Sequence, residues 1–235
     1  MTKLVFTRET ALGRVWQFLR EEAVWAAGGF IIELASGGVG FAPGGAALAA
    51  GLSGTRRLYA LGGAAFAALL HGLPEGLITL AALCIVLAAQ LIPDFGSRVV
   101  GSVVRFLAAS LAVFFSRVSE AAEPSQLLTV FIAAVMSGVF AVCVYQLLGL
   151  VKLRGLDMSE YRDCAYLAVV VGLGFLSLAG LDYPAINFGR LTAAFVVLAV
   201  TAQRGLAAAA VVGIPCVFGM CAASPEIGGG TACIV

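Results

Sequence analysis

Nine apolar runs, separated by short charged connections, divide almost the whole chain. They span residues 23–41, 43–53, 58–70, 76–92, 99–115, 127–150, 164–180, 186–202 and 205–220. An α-helix needs roughly 20 residues to cross a hydrocarbon core of about 30 Å. Several runs are shorter than this, and the second and third are clearly so. The pattern predicts an all-α, polytopic membrane protein with about nine transmembrane helices.

Composition supports this class because the chain carries too little charge to coat a water-soluble surface. Apolar residues make up 61% of the sequence and charged residues 11%. A soluble domain of this size carries about 25% charged residues. Lipid is therefore expected to be the main partner of the surface, and a soluble protein with an unusually apolar core is the weaker alternative.

The cations are distributed unequally between the two sides of the predicted membrane region. If the N-terminus is cytoplasmic and every run crosses once, eleven of them fall inside: Lys3, Arg8, Arg14, Arg20, Arg56, Arg57, Arg98, Lys152, Arg154, Arg162 and Arg204. Only Arg117 falls outside, where the connections instead carry Glu75, Glu120, Glu123, Asp182 and Glu226. Because cytoplasmic loops are enriched in Lys and Arg, this asymmetry predicts a cytoplasmic N-terminus.

The second and third runs allow two interpretations. They form either two short spans or a re-entrant hairpin that enters and leaves on the same side. A hairpin would place Arg56 and Arg57 at membrane depth, at a cost of about 2.5–3.5 kcal/mol each. Two short spans in a thinned bilayer cost only fractions of a kcal/mol per Å of mismatch. The two-span interpretation is therefore favoured.

The ends of the chain are predicted to flank the membrane region. Residues 1–22 are expected to form a cytoplasmic amphipathic segment, since Leu12, Val15, Trp16 and Leu19 recur at helical spacing. An ordinary basic flank is an equally open interpretation. The transmembrane domain is predicted over residues 23–222, and residues 223–235 are expected to form a tail on the outer side.

Three ionisable residues lie within or at the edge of the predicted spans: Glu33, Arg105 and Arg190. Glu33 lies about 15 Å into the first span at helical rise. It is therefore expected to be protonated, paired or in contact with a wet crevice. Arg105 lies on one helical face with Arg98 and Ser102, and its long side chain can extend toward the membrane surface. A structural contact is the default role, and a transport role is the alternative.

The sequence contains no catalytic or metal-binding pattern that we recognise. The six cysteines have no CxxC spacing, and His71 is the only histidine. The chain is therefore expected to bind no cofactor or metal and to carry no catalytic residue. The longest charged connection, 152–163, is mixed in sign and argues against nucleic-acid binding. It is interpreted as a solvated linker, with a docking surface for a soluble protein as the alternative.

The order of these features resembles the N-terminal membrane region of the stage II sporulation protein E family. The resemblance rests on a glycine-rich first span, the segment APGGAALAAGLS, the pair Arg56–Arg57, and the later segments EYRDCAYLAVVVGLGFLSLAGL and GRLTAAFVVLAVTAQRGLAAAAVVGIPCVFGM. It extends from about residue 23 to the end of the chain. One departure lies in the first span, where the family tends to have Gly-Arg and this chain has Glu33 and Leu34.

The resemblance implies a function larger than this chain. The family has ten membrane helices, a central cytoplasmic region and a manganese-dependent Ser/Thr phosphatase domain. Its members act at the asymmetric septum of spore-forming bacteria, where they bind the tubulin-like division protein. They activate a forespore sigma factor by dephosphorylating its anti-anti-sigma factor. On this interpretation the chain is a localising anchor in the bacterial cytoplasmic membrane, able to self-associate and interrupted before its last span.

Two other classes of function stay open. A small secondary transporter would need a polar pathway, which Glu33, Arg105, Arg190 and a few hydroxyl groups would have to line. A membrane enzyme acting on lipids would need catalytic groups converging at one interface, and a single histidine makes that unfavourable.

Overall fold

We describe the fold from a computed structural model of the chain. The described residues are 22–36, 42–70, 72–91, 97–121, 123–153, 155, 157, 160–183 and 186–223. They lie between residues 22 and 223, with gaps. The predicted amphipathic segment and the outer-side tail lie outside the described residues, apart from Glu22 and Ala223.

The described residues form nine α-helices, numbered here in chain order: α1 (22–36), α2 (Gly45–Gly51), α3 (Thr55–Leu70), α4 (Leu73–Ala88), α5 (Arg98–Arg117), α6 (Pro124–Leu153), α7 (Tyr161–Leu178), α8 (Phe188–Arg204) and α9 (Leu206–Ala223). Short 3-10 turns at Ala89–Leu91 and Val118–Glu120 follow α4 and α5. Between α7 and α8, β1 (Asp182–Tyr183) pairs antiparallel with β2 (Ile186–Asn187). Apart from this ladder of two residues per strand, the described elements are helical, as the sequence predicted.

Four helices, α5, α6, α7 and α9, are long and apolar enough to cross a membrane. Their mean hydropathy over the most apolar window lies between 1.4 and 2.6. A shorter apolar helix spans Gly76–Ala88 within α4. These helices also expose many large apolar side chains, as a lipid-facing surface requires. The described part of the chain is thus helical and has the features of a membrane protein.

The second predicted run is not a continuous spanning helix. Its only helix, α2, has seven residues and is about 10.5 Å long at helical rise. All seven residues are buried. Because the sequence GAALAAG places small side chains on every face, neighbouring helices can surround it completely. The prediction of a span over 43–53 is therefore corrected to a buried half-helix with non-helical flanks.

Glycine positions determine how closely the neighbours approach α2. A β-carbon at Gly45 would lie 2.5 Å from the Gly29 carbonyl oxygen of α1. At the other end of α2, a β-carbon at Gly51 would lie 2.7 Å from the Ala141 carbonyl oxygen of α6. Both contacts are with backbone, which cannot move aside as a flexible side chain can. The two glycines therefore place α2 between α1 and α6.

Helices α1 and α3 run parallel to each other. Near the start of both helices, the Arg56 guanidinium lies 5.6 Å from the ring centroid of Trp25. Further along both, the ring centroids of Phe30 and Phe66 are 5.7 Å apart. The chain must therefore return along the length of α1 before α3 begins. Of the residues between these two helices, the structure describes 42–54, which contain α2.

Helices α5 and α6 form an antiparallel pair with a defined register. The Gln146 side-chain amide donates a 2.8 Å hydrogen bond to the Ser102 hydroxyl. One turn deeper, the Arg105 guanidinium lies 3.7 Å from the ring centroid of Tyr145. The start of α5 is thus level with the end of α6.

The last three helices pack around a second apolar cluster formed by Phe175, Ala179, Ala193, Val212, Cys216 and Met220. The contact between α7 and α9 is close, because a β-carbon at Gly219 would clash with the Gly172 carbonyl oxygen. This part joins the rest of the bundle where the Ser177 hydroxyl of α7 donates a 2.7 Å hydrogen bond to the Pro43 carbonyl before α2.

These contacts place the ends of the helices in two groups. The C-terminus of α5 meets that of α1, because Arg117 Nη2 donates a 3.2 Å hydrogen bond to the Ser36 carbonyl. The C-terminus of α7 lies at the same end through its bond to Pro43. At the other end, which we call the basic end, lie six described cations: Arg56, Arg57, Arg98, Lys152, Arg162 and Arg204.

Candidate functional site: charged groups inside the bundle

Glu33 caps the N-terminus of the half-helix α2. Its carboxylate Oε2 accepts a 2.6 Å hydrogen bond from the backbone N–H of Gly45, the first residue of α2. The N-cap residue Gly44 has no side chain to do this. A negative charge at this position also complements the positive end of the helix dipole. The carboxylate that the sequence singled out is thus paired with backbone.

Arg57 performs the matching role at the C-terminus of α2. Its Nε donates a 2.9 Å hydrogen bond to the carbonyl of Leu52, the C-cap residue. The Arg57 side chain is 7% exposed, so this contact is sheltered from water. A cation at a helix C-terminus complements the negative end of the dipole. Each end of the buried half-helix therefore contacts a side chain whose charge is opposite to that end of the helix dipole.

Arg105 lies between α5 and α6 and is buried. Its Nη1 donates a 2.8 Å hydrogen bond to the Gly101 carbonyl one turn earlier, and its guanidinium stacks on Tyr145. An aromatic face stabilises a desolvated guanidinium by about 2 kcal/mol or more. The sequence predicted that this side chain could extend toward the membrane surface; in the structure it reaches back one turn toward the start of α5, is 5% exposed and lies against a ring.

Arg190 lies in the first turn of α8, where its side chain is exposed. Its backbone N–H donates a 2.9 Å hydrogen bond to Asn187 Oδ1, which caps this helix. The side chain is therefore not part of the bundle interior. Of the three candidates, Glu33 contacts α2, Arg105 contacts α6, and Arg190 faces outward at the end opposite the basic end. The structure does not bring them together in one site.

Sequence reasoning missed several polar contacts that organise the bundle. Arg57 was counted only as a loop charge, although it caps α2. Tyr145 and Gln146 lie inside an apolar run, so the sequence did not identify them as contacts of α5. Their polar atoms were visible in the sequence, but the register of α5 against α6 was not, and only that register pairs them with Ser102 and Arg105.

The described side chains include the residue types that ligate metals and form disulfides. Within the described ranges, no three His, Cys, Asp or Glu side chains are close enough together to hold a metal ion. The described cysteines Cys84, Cys143, Cys216 and Cys221 are free thiols. His71 lies outside the described residues. The geometry is that of a helical scaffold whose internal charges bind backbone groups of neighbouring segments.

Comparison with known proteins does not assign the chain to a family. No family model, no curated protein and no solved structure matches it. Fold and function therefore have to be argued from the residues and contacts described above.

Proposed function

We propose that this chain is a polytopic membrane anchor that crosses the bilayer nine times from a cytoplasmic N-terminus and localises a signalling protein. The observation that carries the proposal is the position of the described cations. Six lie at the basic end of the bundle, whereas Arg117 and Arg190 lie at the opposite end. Such an asymmetry is typical of a membrane protein whose basic end faces the cytoplasm.

The parallel arrangement of α1 and α3 supports one return crossing between them, which makes α3 the third crossing of the membrane. A re-entrant hairpin would begin α3 at half the depth of the bundle. Instead, Arg56 at the start of α3 contacts Trp25 near the start of α1. The segment around α2 can cover this distance in part because Gly44 and Leu52 on either side of the helix are extended, and an extended residue rises about 3.3 Å, twice the helical rise.

The role of the internal charges favours an anchor over a transporter. Glu33, Arg57 and Arg117 each bind a backbone group at the end of a helix. Groups used in this way hold helices in fixed positions. A transport pathway would instead require them to exchange a substrate with water.

The phosphatase link is the finer part of the proposal and rests on the sequence resemblance to stage II sporulation protein E. In that family a manganese-dependent phosphatase follows the membrane helices and acts at the division septum. We propose the same anchoring role here, with the tubulin-like division protein as a partner of the cytoplasmic part. The DNA after the Val235 codon tests this directly: an open frame that encodes a phosphatase domain supports the link, and a stop codon contradicts it.

A fluorescent fusion in a spore-forming bacterium tests localisation. The proposal predicts that the full chain accumulates at the asymmetric septum early in sporulation. A matched fusion with Gly63→Val, which is expected to disturb the bundle, should be lost from the septum, whereas Gly62→Val should not. Uniform fluorescence of the intact chain around the cell would contradict septal anchoring.

A second candidate, a small transporter, is favoured by one observation. The backbone is irregular on both sides of the buried half-helix α2, and broken helices often bind substrates in transporters. Reconstituted vesicles distinguish the two functions. The anchor proposal predicts no solute flux above that of empty vesicles, and flux that depends on Glu33 would favour transport instead.

A further inference from the structure

The basic end of the α5–α6 pair combines exposed cations with hydrogen-bonding groups. Arg98 and Lys152 are both exposed there. Neither α5 nor α6 contains an acidic residue that could neutralise them. Asp94, four residues before Arg98, lies outside the described residues, and Asp157, five residues after Lys152, donates its backbone N–H to the Asp163 carboxylate.

The register of the two helices places these cations opposite each other. Arg98 precedes Ser102 by one turn on the same face, about 6 Å closer to the end of the bundle. Lys152 follows Tyr145 by two turns and shares its α5-facing side. Because Ser102 binds Gln146 and Arg105 stacks on Tyr145, Arg98 and Lys152 extend from the same interhelical face. Two cations in this arrangement repel each other unless an anion lies between them.

Space for an anion is present beside them. Gly149 lies one turn after Tyr145 on the side of α6 that faces α5. A β-carbon at Gly149 would nevertheless meet no described atom within 4 Å. At Gly138, deeper in the same interface, a β-carbon would clash with the Ser110 hydroxyl. The two helices are therefore packed tightly in the membrane interior and leave an opening at the basic end.

An apolar stripe continues from this opening along α5. Val99, Val103 and Leu107 recur at four-residue spacing and are 72%, 51% and 50% exposed. The stripe begins next to Arg98 and runs toward the middle of a helix that is long and apolar enough to cross a membrane. A ligand that fits both parts carries a negative charge at one end and a hydrocarbon chain at the other.

We propose that this opening, formed by Arg98, Ser102, Gly149 and Lys152, is a binding site for the headgroup phosphate of an anionic phospholipid. The phosphate lies between the two cations, and an acyl chain packs along the apolar stripe of α5. Basic pockets between membrane helices on the cytoplasmic side are suited to such headgroups. The inference rests on the membrane placement of α5 and α6 and is independent of the phosphatase link.

Lipid retention by the purified full chain tests the site. Native mass spectrometry in detergent would count phosphatidylglycerol molecules that stay bound, with phosphatidylcholine as the neutral comparison. The double variant Arg98→Gln/Lys152→Gln should weaken phosphatidylglycerol retention about 30-fold, since each cation near the membrane surface contributes about 1 kcal/mol. Gly149→Leu should give a clear loss as well, because it fills the opening and leaves both charges in place.

The matched control is Arg162→Gln/Arg204→Gln, which removes two exposed charges from the same end of the bundle. It should retain phosphatidylglycerol as the unmodified chain does. Equal losses in both double variants would overturn the site in favour of general surface charge. Unchanged binding in Gly149→Leu, equal retention of phosphatidylcholine, or displacement of the lipid by millimolar inorganic phosphate would also overturn it. Unfolding temperatures in phosphatidylcholine should agree among all variants, since the substituted cations are exposed.

Discussion

The α1–α3 region and the α5–α6 pair satisfy their backbone polar groups in different ways. Helices α5 and α6 have 20 and 30 residues, so nearly all their backbone hydrogen bonds are made within the helix. The seven-residue α2 has a large share of its N–H and C=O groups at its ends. Lipid cannot satisfy those groups, so Glu33 and Arg57 do. A long helix depends on side-chain packing, whereas a broken one also depends on charged caps.

A substitution that disturbs the packing of α1 against α3 should give the largest loss of stability. A β-carbon at Gly63 would clash with the backbone of Ala26 and Phe30, whereas one at Gly62 would meet nothing within 4 Å. Gly63→Val should therefore lower the free energy of unfolding by about 3 kcal/mol, at the upper end of overpacking costs. Thermal unfolding in detergent measures the change. Gly62→Val is the control, and equal destabilisation by both would contradict the close α1–α3 contact.

Removal of the charged cap at the start of α2 should give the second-largest loss of stability. Glu33→Ala leaves the Gly45 N–H without its carboxylate and should destabilise the protein by about 1.5–3 kcal/mol, the range for hydrogen bonds to charged groups. Glu33→Gln keeps an oxygen acceptor and should cost less. Equilibrium unfolding would compare the two variants. If Ala and Gln have the same effect, or neither has any, then Glu33 does not cap α2.

The energetic coupling between the two caps tests whether both stabilise the same helix, α2. Glu33 and Arg57 do not need to touch, because both act on α2. Arg57→Ala should cost about 1–3 kcal/mol, since it leaves the Leu52 carbonyl unsatisfied. Once one cap is gone and α2 has loosened, removing the second should cost less than it does alone. A double-mutant cycle measures this difference, and strictly additive values would mean that the caps act independently.

Smaller effects are expected in the α5–α6 pair. Tyr145→Leu removes the ring that packs against buried Arg105 and should cost about 2 kcal/mol, as for a desolvated cation–π contact. The exposed Arg162, whose guanidinium lies 5.8 Å from the ring centroid of half-buried Tyr166, provides the control. Tyr166→Leu should cost less than 1 kcal/mol by the same rule. A larger loss in Tyr166→Leu would contradict the buried stack.

The smallest effect is expected at the polar contact nearest the basic end. Gln146→Leu removes the hydrogen bond to Ser102 and should cost about 0.5–1.5 kcal/mol. Ser102→Ala should cost a similar amount, and the double variant should cost little more than either alone. Thermal unfolding of the three variants measures this. Fully additive losses would show that the two side chains do not bind each other.

Sequence patterns predicted the long helices well because one apolar run of sufficient length determines each of them. The predicted runs 99–115 and 127–150 correspond to α5 (Arg98–Arg117) and α6 (Pro124–Leu153). The run 43–53 was misjudged, because small apolar residues look alike in a lipid-facing span and in a half-helix surrounded by protein. Only tertiary contacts, such as those of Gly45 and Gly51, distinguish the two situations.

The candidate site was predicted less well because a charge in an apolar run has no visible partner. The sequence identified Glu33 and Arg105 as buried ionisable groups that need compensation. It did not identify that compensation, since Gly45 lies in another helix and Tyr145 lies 40 positions from Arg105. Arg190 was grouped with them because it lies near a predicted helix end, and the structure places it on the surface.

Cysteine labelling of the loop after α2 tests the central claim, the return of the chain across the membrane between α1 and α3. Ser53 is exposed in this loop, and Ser119 is exposed at the opposite end of the bundle. In a variant without the six native cysteines, a membrane-impermeant maleimide should label Ser53→Cys only from the cytoplasmic side and Ser119→Cys only from outside. Labelling of Ser53→Cys from outside would contradict this topology.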